Sequence, residues 1–367
     1  MVKKTEMNPK SKLREIGLNL VNYIKKGENP FLDIPIRALS NVIFDPHTNL
    51  IKMGDKTAKR YLFNVAHIRK FVQTIDAAAI SKRLLEENKH VSLRQVYYMM
   101  KGTLSGSGVE VVSDGDEGQT ESNKAVEDLE LITGLTREQL NINAKKLGSV
   151  AGKVIIEDGG DTIDWSKQGS GGWSVPSNVE NIKFKKVNAK FVLYMEKDAI
   201  WERLNEDKVW NKLDCVIIAS QGQATRGIRR LLQRMSDELR LPIYVLADFD
   251  PWGFYIYSVL KFGSIALSHI SDRLAIPKAH YLGLTADDVE KYELTKYVIK
   301  FKDVDIKRLK EVSEYEWFKN RKEWQRQFQL MNKIKGKVEL DALVTKGVSF
   351  ISEKYIPEKI KSVDVLN

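Results

Sequence analysis

Three short runs in the second half of the chain are almost wholly apolar: Phe191–Met195 (FVLYM), Cys215–Ala219 (CVIIA) and Ile243–Ala247 (IYVLA). Stretches with helical spacing, Ala199–Asn205 and Gly227–Leu239, separate them. Short buried runs alternating with helices predict βαβ units and a parallel sheet covered on both faces. The first half has a different texture. Helices are predicted over Ile75–Asn88 and Leu93–Met100, and two short ones over residues 126–147, the second opening at Thr136-Arg137-Glu138-Gln139. Residues 150–187 read as short strands and turns. Within VSLRQVYYMM (Val91–Met100), Ser92 and Gln95 have the spacing of a capping box, which starts a helix at Leu93. Leu93, Val96, Tyr97 and Met100 then recur at i, i+3, i+4 and i+7, an apolar stripe that faces a core. Arg94, Tyr98 and Lys101 fall on another face. Tyr97 is therefore the packing tyrosine and Tyr98 the exposed one, a turn from Arg94.

Composition narrows the class. A chain of 367 residues is long for one core and implies two or three domains. Hydrophobic residues at 43% and charged ones at 29% describe a folded protein, not a disordered one. No apolar run reaches the roughly 18 residues that span a bilayer, and the start, MVKKTEMNPKSKLRE, lacks the apolar core of a signal peptide. Both point to a cytoplasmic protein with no membrane partner. The single cysteine, Cys215, excludes an internal disulfide framework and a cysteine-based zinc site. Net charge is +10, concentrated in the first 70 residues, which reads equally as an arm that binds nucleic acid or a partner and as a merely solvated tail. Against that trend, Val109–Glu130 holds eight acids and one lysine and includes GDEGQTESN, which reads as a solvated loop. Neither a Walker A sequence nor GxGxxG occurs, so ATP, if used, is bound by another chain.

Function in a parallel sheet gathers beyond the carboxyl ends of the strands. There the chain places Glu196, directly after the first run, and Asp248 and Asp250 after the third, in DFDPWG. Two residues apart in extended chain, Asp248 and Asp250 project to the same face. Three neighbouring carboxylates repel one another unless a cation neutralises them, and all-oxygen donors suit Mg2+. By itself, DxD at a strand end reads as an ordinary loop with helix-capping acids. Glu196 one crossover earlier, with Pro251 and Gly253 shaping the turn, makes a metal site the better reading. Tyr98 needs help to act as a nucleophile, since ionising a phenol at pH 7 costs about 4 kcal/mol. Arg94 and a nearby divalent cation would both favour the phenolate. Alone, that pair is an ordinary surface contact. Arg226, Arg229, Arg230 and Arg234 follow the second strand; 226, 230 and 234 form a ridge that suits DNA phosphates or a solvated face equally well. YEWFKNRKEWQRQF (Tyr315–Phe328) could stack bases, but amphipathic helix packing explains it better.

A Glu after one strand and DxD after a later one resemble the Toprim domain, over roughly residues 189–260. That likeness implies Mg2+-dependent phosphodiester chemistry on nucleic acid. With Arg94, Tyr97 and Tyr98 on a preceding helix, the chain resembles the A-subunit family of archaeal type IIB DNA topoisomerases (topoisomerase VI) and the related meiotic double-strand-break transesterases. The resemblance extends over most of the chain, through DIPIRALSNVIFD (Asp33–Asp45), Thr136–Leu140, VLYMEKDAIWERL (Val192–Leu204), GQATRGIRRLL (Gly222–Leu232) and HYLGLTADDV (His280–Val289). It implies an α/β multidomain chain: a partner-binding arm over 1–70, a winged-helix (CAP-like) domain over 71–188, and a Toprim domain with a mostly parallel sheet over 189–367. It also implies Tyr98 as nucleophile, Arg94 beside it, and Glu196, Asp248 and Asp250 as Mg2+ ligands. The implied activity cleaves double-stranded DNA through a 5′-phosphotyrosyl intermediate, religates after strand passage and relaxes supercoils. The implied assembly is an A2B2 heterotetramer. In it a homodimer of A subunits joins B subunits carrying a GHKL-type ATPase, and Tyr98 of one protomer acts with the metal site of the other. Two features depart from the family pattern: the loop SQGQATRG lacks the Lys-Gly-x-Pro-Asp form, and the acidic stretch 109–130 is longer than the pattern needs. On the residues alone, a Toprim nuclease or primase without a covalent tyrosine stays open, as does a non-catalytic DNA-binding scaffold.

Overall fold

The computed structural model describes residues 8–102, 110–362 and 365–367. Residues 1–7 of the expected arm, and Val109 at the start of the acidic stretch, lie outside the described residues. The chain forms two compact units, one of residues up to Val42 plus Met53–Lys145, the other of Ile43–Lys52 plus Lys146–Asn367. The division falls at 145/146, whereas the sequence reading placed boundaries at 70/71 and 188/189.

The first unit opens with helix α1 (Pro9–Lys25), capped by the Asn8 side chain, and strand β1 (Phe31–Pro35). A hairpin of β2 (Val42–Asp45) and β3 (Leu50–Met53) belongs mainly to the second unit. The chain then returns as β4 (Thr57–Tyr61), which pairs antiparallel with β1. Helix α2 (Ile68–Glu87) starts a full seven residues before the expected Ile75 and stops where Asn88 turns left-handed. The two-residue β5 (Val91–Ser92) leads directly into α3 (Leu93–Gly102), close to the expected span. Both hydrogen bonds of the expected capping box form: Ser92 N–H donates to Gln95 Oε1 at 2.7 Å, and Gln95 N–H to Ser92 Oγ at 3.2 Å.

The acidic stretch is not a solvated loop. From Gly115 it is helix α4 (Gly115–Thr133), with Gly118, Ser122, Ala125, Val126 and Leu129 buried along one side. These positions keep a helical spacing, but Gly118, Ser122 and Ala125 are too small to show as an apolar stripe, so only the end with Val126 and Leu129 matches the short helix expected from residue 126. Asp116 and Glu117 in its first turn favour the positive end of the helix dipole. Three of the remaining acids meet cations, Glu121 pairing with Arg69 at 3.0 Å, Glu127 with Arg37 and Asp128 with Arg60, while the buried Glu130 accepts the Arg137 backbone N–H at 2.7 Å. Nor does a helix follow at Thr136. Thr136 and Gln139 exchange capping-type hydrogen bonds, yet the turn ends at left-handed Asn141 and passes into β6 (Ile142–Asn143), which pairs with β5.

In the second unit, β7 (Ser149–Gly152), β8 (Val154–Asp158), β9 (Asp161–Asp164), β10 (Trp173–Ser174) and β11 (Lys183–Val187) supply the expected short strands. β8, β9 and β11 form a small antiparallel sheet of their own. The main sheet runs β10–β7–β13–β12–β14–β15, built on β12 (Phe191–Met195), β13 (Cys215–Ala219), β14 (Ile243–Leu246) and β15 (His280–Gly283). Those last four are mutually parallel, and β7 and β10 add antiparallel at one edge. β12 and β13 are buried at every position, as strands covered on both faces must be. Helices α5 (Asp198–Glu206), α6 (Val209–Lys212), α7 (Arg226–Glu238) and α8 (Pro251–Phe262) provide that cover. Trp317, Phe318, Trp324 and Phe328 are buried, and Trp324 stacks on Tyr257 with ring centroids 5.1 Å apart. Tyr315–Phe328 is thus core packing, not a base-stacking surface. Phe44 of the β2–β3 hairpin packs edge-on to Phe262. Among the described residues no helix is long and apolar enough to cross a membrane.

Candidate functional site

Helix α3 presents two tyrosines in opposite ways. Val96, Tyr97 and Met100 are buried, while Tyr98 is 57% exposed. The Tyr97 hydroxyl accepts the Gly115 N–H at 3.1 Å, which ties the ring to the start of α4. Gly118 of α4 is there because nothing larger fits: a Cβ would lie 2.7 Å from the Tyr97 ring and 1.8 Å from the Ser113 carbonyl. The two tyrosine rings are tilted with centroids 5.0 Å apart. The Arg94 guanidinium lies 5.2 Å from the centre of the Tyr97 ring and 5.4 Å from that of Tyr98. Its Nη1 donates to Gln119 of α4 at 3.3 Å, and Gln119 in turn donates to the Leu93 carbonyl. The helix that reads as an insertion in the sequence is therefore what clamps the tyrosine helix. Gln119 and Gly118 escaped the sequence reading because their roles depend on the partner helix.

Glu196 follows β12 and Asp248 and Asp250 follow β14, near enough for the two aspartates to act electrostatically on Glu196. Asp250 is the N-cap of α8, its Oδ1 accepting from Gly253 N–H, and Pro251 begins the helix. The capping role coexists with a place in the cluster. Asp248 is 8% exposed; its Oδ1 accepts the Leu340 N–H at 2.8 Å and its Oδ2 meets Lys197 Nζ at 3.1 Å. An antiparallel bridge between Phe249 and Val338 fixes the segment that carries Leu340. Burial, reinforced by Asp248 and Asp250, pushes the Glu196 carboxyl up to about 7. Burial also pushes Asp250 up to about 6, with the Gly253 amide opposing and Asp248 adding to the rise. Asp248 is raised by burial against the pull of the Leu340 amide and Lys197.

Lys197, Glu339 and Asp341 complete the neighbourhood and were not singled out from the sequence. Burial opposes the charge of Lys197, but Asp341 at 2.7 Å, Asp248 and Glu339 at 2.9 Å hold the ammonium above its ordinary range. The i, i+2 acids of Val338-Glu339-Leu340-Asp341 were the available signal, repeating the DxD spacing. These residues border an open cavity of about 450 Å³ together with Glu196, Asp198, Gln221 and Gly222.

The donor chemistry fits a divalent cation: three hard carboxylates, each resisting ionisation by burial, with a lysine already drawn to one of them. Among the described residues, no three such groups are close enough to hold an ion as they stand. Lys197 is the cation in contact with Asp248. The Arg94–Tyr98 pair and the carboxylates lie in different units.

Two arginines of α7, Arg230 and Arg234, are held by partners within the fold. Arg226, Arg229 and Arg234 are buried. Arg234 donates to the Ile182 carbonyl at 2.9 Å and pairs with Glu238, while Arg230 pairs with Glu180 at 2.7 Å. The ridge expected at 226, 230 and 234 is not a solvated face, since Arg226 and Arg234 are buried and Arg230 and Arg234 are paired with acids.

A mostly parallel sheet with carboxylates at its strand ends is consistent with a Toprim domain, and residues 191–360 match the family model for the Toprim domain of the topoisomerase 6 A subunit and Spo11. Toprim domains are metal-binding and typically take divalent cations. Residues 69–142 match "Type IIB DNA topoisomerase", and 136–188 match "All-beta domain in DNA topoisomerase VI alpha subunit". The A subunit of type 2 DNA topoisomerase 6 from Pyrococcus abyssi is 44% identical, covering 97% of this chain and 94% of its own. Its counterpart from Saccharolobus shibatae is 38% identical, covering 96% and 95%. The A subunit of DNA topoisomerase 6 from Arabidopsis thaliana is 32% identical over 97% of this chain and 81% of its own. The chain belongs to the A-subunit family of type IIB DNA topoisomerases.

Proposed function

We propose that this chain is the DNA-cleaving A subunit of an ATP-dependent type IIB topoisomerase, with Tyr98 as its nucleophile. One observation carries the residue assignment: of two adjacent tyrosines, Tyr97 is buried and hydrogen-bonded while Tyr98 is open to a substrate and beside a guanidinium. Tyr98 Oη attacks a backbone phosphorus, a P–O bond to the 3′ oxygen breaks, and the DNA 5′ phosphate becomes a phosphotyrosyl ester. The phenolic proton leaves and the 3′ oxygen takes one up. One phosphodiester is exchanged for another, so the 3′-hydroxyl can reverse the step without a high-energy cofactor. Arg94 orients and neutralises the scissile phosphate; a planar two-pronged guanidinium suits that task. Glu196, Asp248 and Asp250 would hold Mg2+, which when bound supplies charge stabilisation at the phosphate and leaving oxygen.

The remaining assignments follow the family resemblance. Helices α2 and α3 with the β5–β6 pair are read as the core of a winged-helix, CAP-like domain. Two breaks in a duplex require two tyrosines, hence an A-subunit homodimer, with Tyr98 of one protomer working at the metal site of its partner. A B subunit with a GHKL-type ATPase completes an A2B2 assembly. The N-terminal arm is the region assigned to that contact, and Leu18, Val21 and Ile24 on α1 are exposed apolar residues in keeping with it. The test is to incubate the chain, co-expressed with its B subunit, with supercoiled DNA, Mg2+ and ATP, and to trap complexes with denaturant. Protein covalently attached to DNA 5′ ends is expected. Relaxation or cleavage without any trapped adduct would favour a Toprim nuclease.

A further inference from the structure

Both carboxylate oxygens of Asp248 are taken, one by the Leu340 amide and one by Lys197. The amide is fixed by the Phe249–Val338 bridge, whereas the lysine tip sits at the end of a flexible stem. A divalent ion approaching Asp248 must therefore compete with Lys197. That lysine also has somewhere to go, because Glu339 and Asp341 contact the same Nζ at 2.9 and 2.7 Å. Asp248 is nearly buried, while the side chains of Glu339 and Asp341 are 46% and 50% exposed. Lys197 thus bridges an inner acid to an outer pair, beside a cavity roomy enough for a hydrated ion.

We infer that Lys197 is a resident counter-cation, which holds Asp248 in the metal-free chain and withdraws onto Glu339 and Asp341 when a divalent cation is bound. Withdrawal keeps two of its three ion pairs, so it costs little. Without a metal, the pairing limits repulsion among Asp248, Glu196 and Asp250; with one, the outer acids keep the ammonium from competing. Lys197 is a positioning residue, and Glu339 and Asp341 act through it. The inference rests on Glu196, Asp248 and Asp250 being the metal ligands.

The experiment is calorimetric titration of the full chain with Mg2+ alone, with no DNA or ATP, for four proteins: wild type, Lys197→Met, Glu339→Gln/Asp341→Asn, and the triple variant. Lys197→Met should bind Mg2+ about tenfold more tightly, since a competing charge is gone. Glu339→Gln/Asp341→Asn should bind several-fold more weakly, because Lys197 is left with Asp248 as its remaining partner. In the triple variant the acid substitutions should have no further effect, so its affinity should match that of Lys197→Met. Additive effects would show that the outer acids act on the ion directly and overturn the inference. So would loss of one bound Mg2+ per chain in Glu339→Gln/Asp341→Asn, which would make those acids ligands. Unchanged affinity in Lys197→Met would also overturn it. If Lys197→Met does not fold without metal, Lys197→Arg serves instead: a bidentate guanidinium should hold Asp248 harder and weaken Mg2+ binding, and unaltered binding would reject the inference. Failure of the wild type to bind Mg2+, with Asp250→Asn identical to it, would instead remove the ligand assignment beneath it.

Discussion

Tyr98 and Asp248 stand at opposite extremes of exposure, 57% against 8%, although the proposed reaction needs both. Around Tyr98 the protein supplies position: a helix pinned by Tyr97, Gly118 and Gln119, with the phenol left to solvent. Around Asp248 it supplies electrostatic tension, with all three carboxyls raised by burial and Glu196 and Asp250 raised further by neighbouring aspartates. The nucleophile can stand exposed, because its hydroxyl hydrogen-bonds to water. The carboxylates must be assembled in advance at strand ends, where burial strengthens their grip on a cation and strains the cluster when none is bound.

The sharpest break of this comparison is Tyr98→Phe. Covalent attachment and relaxation should disappear while DNA binding and melting temperature stay nearly unchanged, since only an exposed oxygen is removed. A trapped adduct in this variant would move the nucleophile elsewhere. Asp250→Asn tests the other side, because asparagine keeps the helix cap but not the charge. Cleavage should be lost and the stabilisation by added Mg2+ should shrink. The metal-free melting temperature should hold or rise as repulsion is relieved. Undiminished Mg2+-dependent cleavage would leave Asp250 as a cap and nothing more.

Gly118→Ala asks whether α4 is a structural clamp. The added methyl has no space beside Ser113 and Tyr97, so a destabilisation of about 1–3 kcal/mol is expected in denaturant melts. A neutral result would mean that α4 packs loosely on α3.

Raised carboxylates also set a pH dependence. Glu196 near 7 and Asp250 near 6 bind protons more tightly in the folded state than the ordinary 4.5 and 3.8. Their contribution to metal-free stability therefore falls as pH rises from about 4 to about 7, and the penalty persists above that. Bound Mg2+ displaces those protons, so its affinity should drop several-fold from about pH 8 to about pH 6. Calorimetry at the two pH values measures this, and a flat profile would mean the cluster is already ionised. The smallest effect is expected from Tyr97→Phe, which loses one hydrogen bond worth about 1 kcal/mol. Covalent trapping should remain substantial, and a dead variant would reverse the assignment of the two helix faces.

Several elements were legible in order and type from the chain alone. β12, β13 and β14 showed as apolar runs because strands buried on both faces have no polar positions to spare. Helix α3 showed through its capping box and stripe, and both hydrogen bonds of that box are present. The same local rules distinguished Tyr97 from Tyr98 and placed three acids at strand ends. Only the end of helix α4, from about residue 126, was legible; its first half was not, because the buried positions there are Gly118, Ser122 and Ala125, and its acids find arginines 52 to 90 residues away in sequence. The arginines of α7 looked like a ridge for phosphates, yet Arg234 is consumed by the Ile182 carbonyl, a partner no spacing rule reveals. Periodicity and capping are short-range, and they determined which residues are helix, strand and exposed face. Charge compensation and close approach act between residues far apart in the chain. Only the tertiary structure could therefore decide that Gly118 makes room for Tyr97, and that Lys197 stands between Asp248 and the acids at 339 and 341.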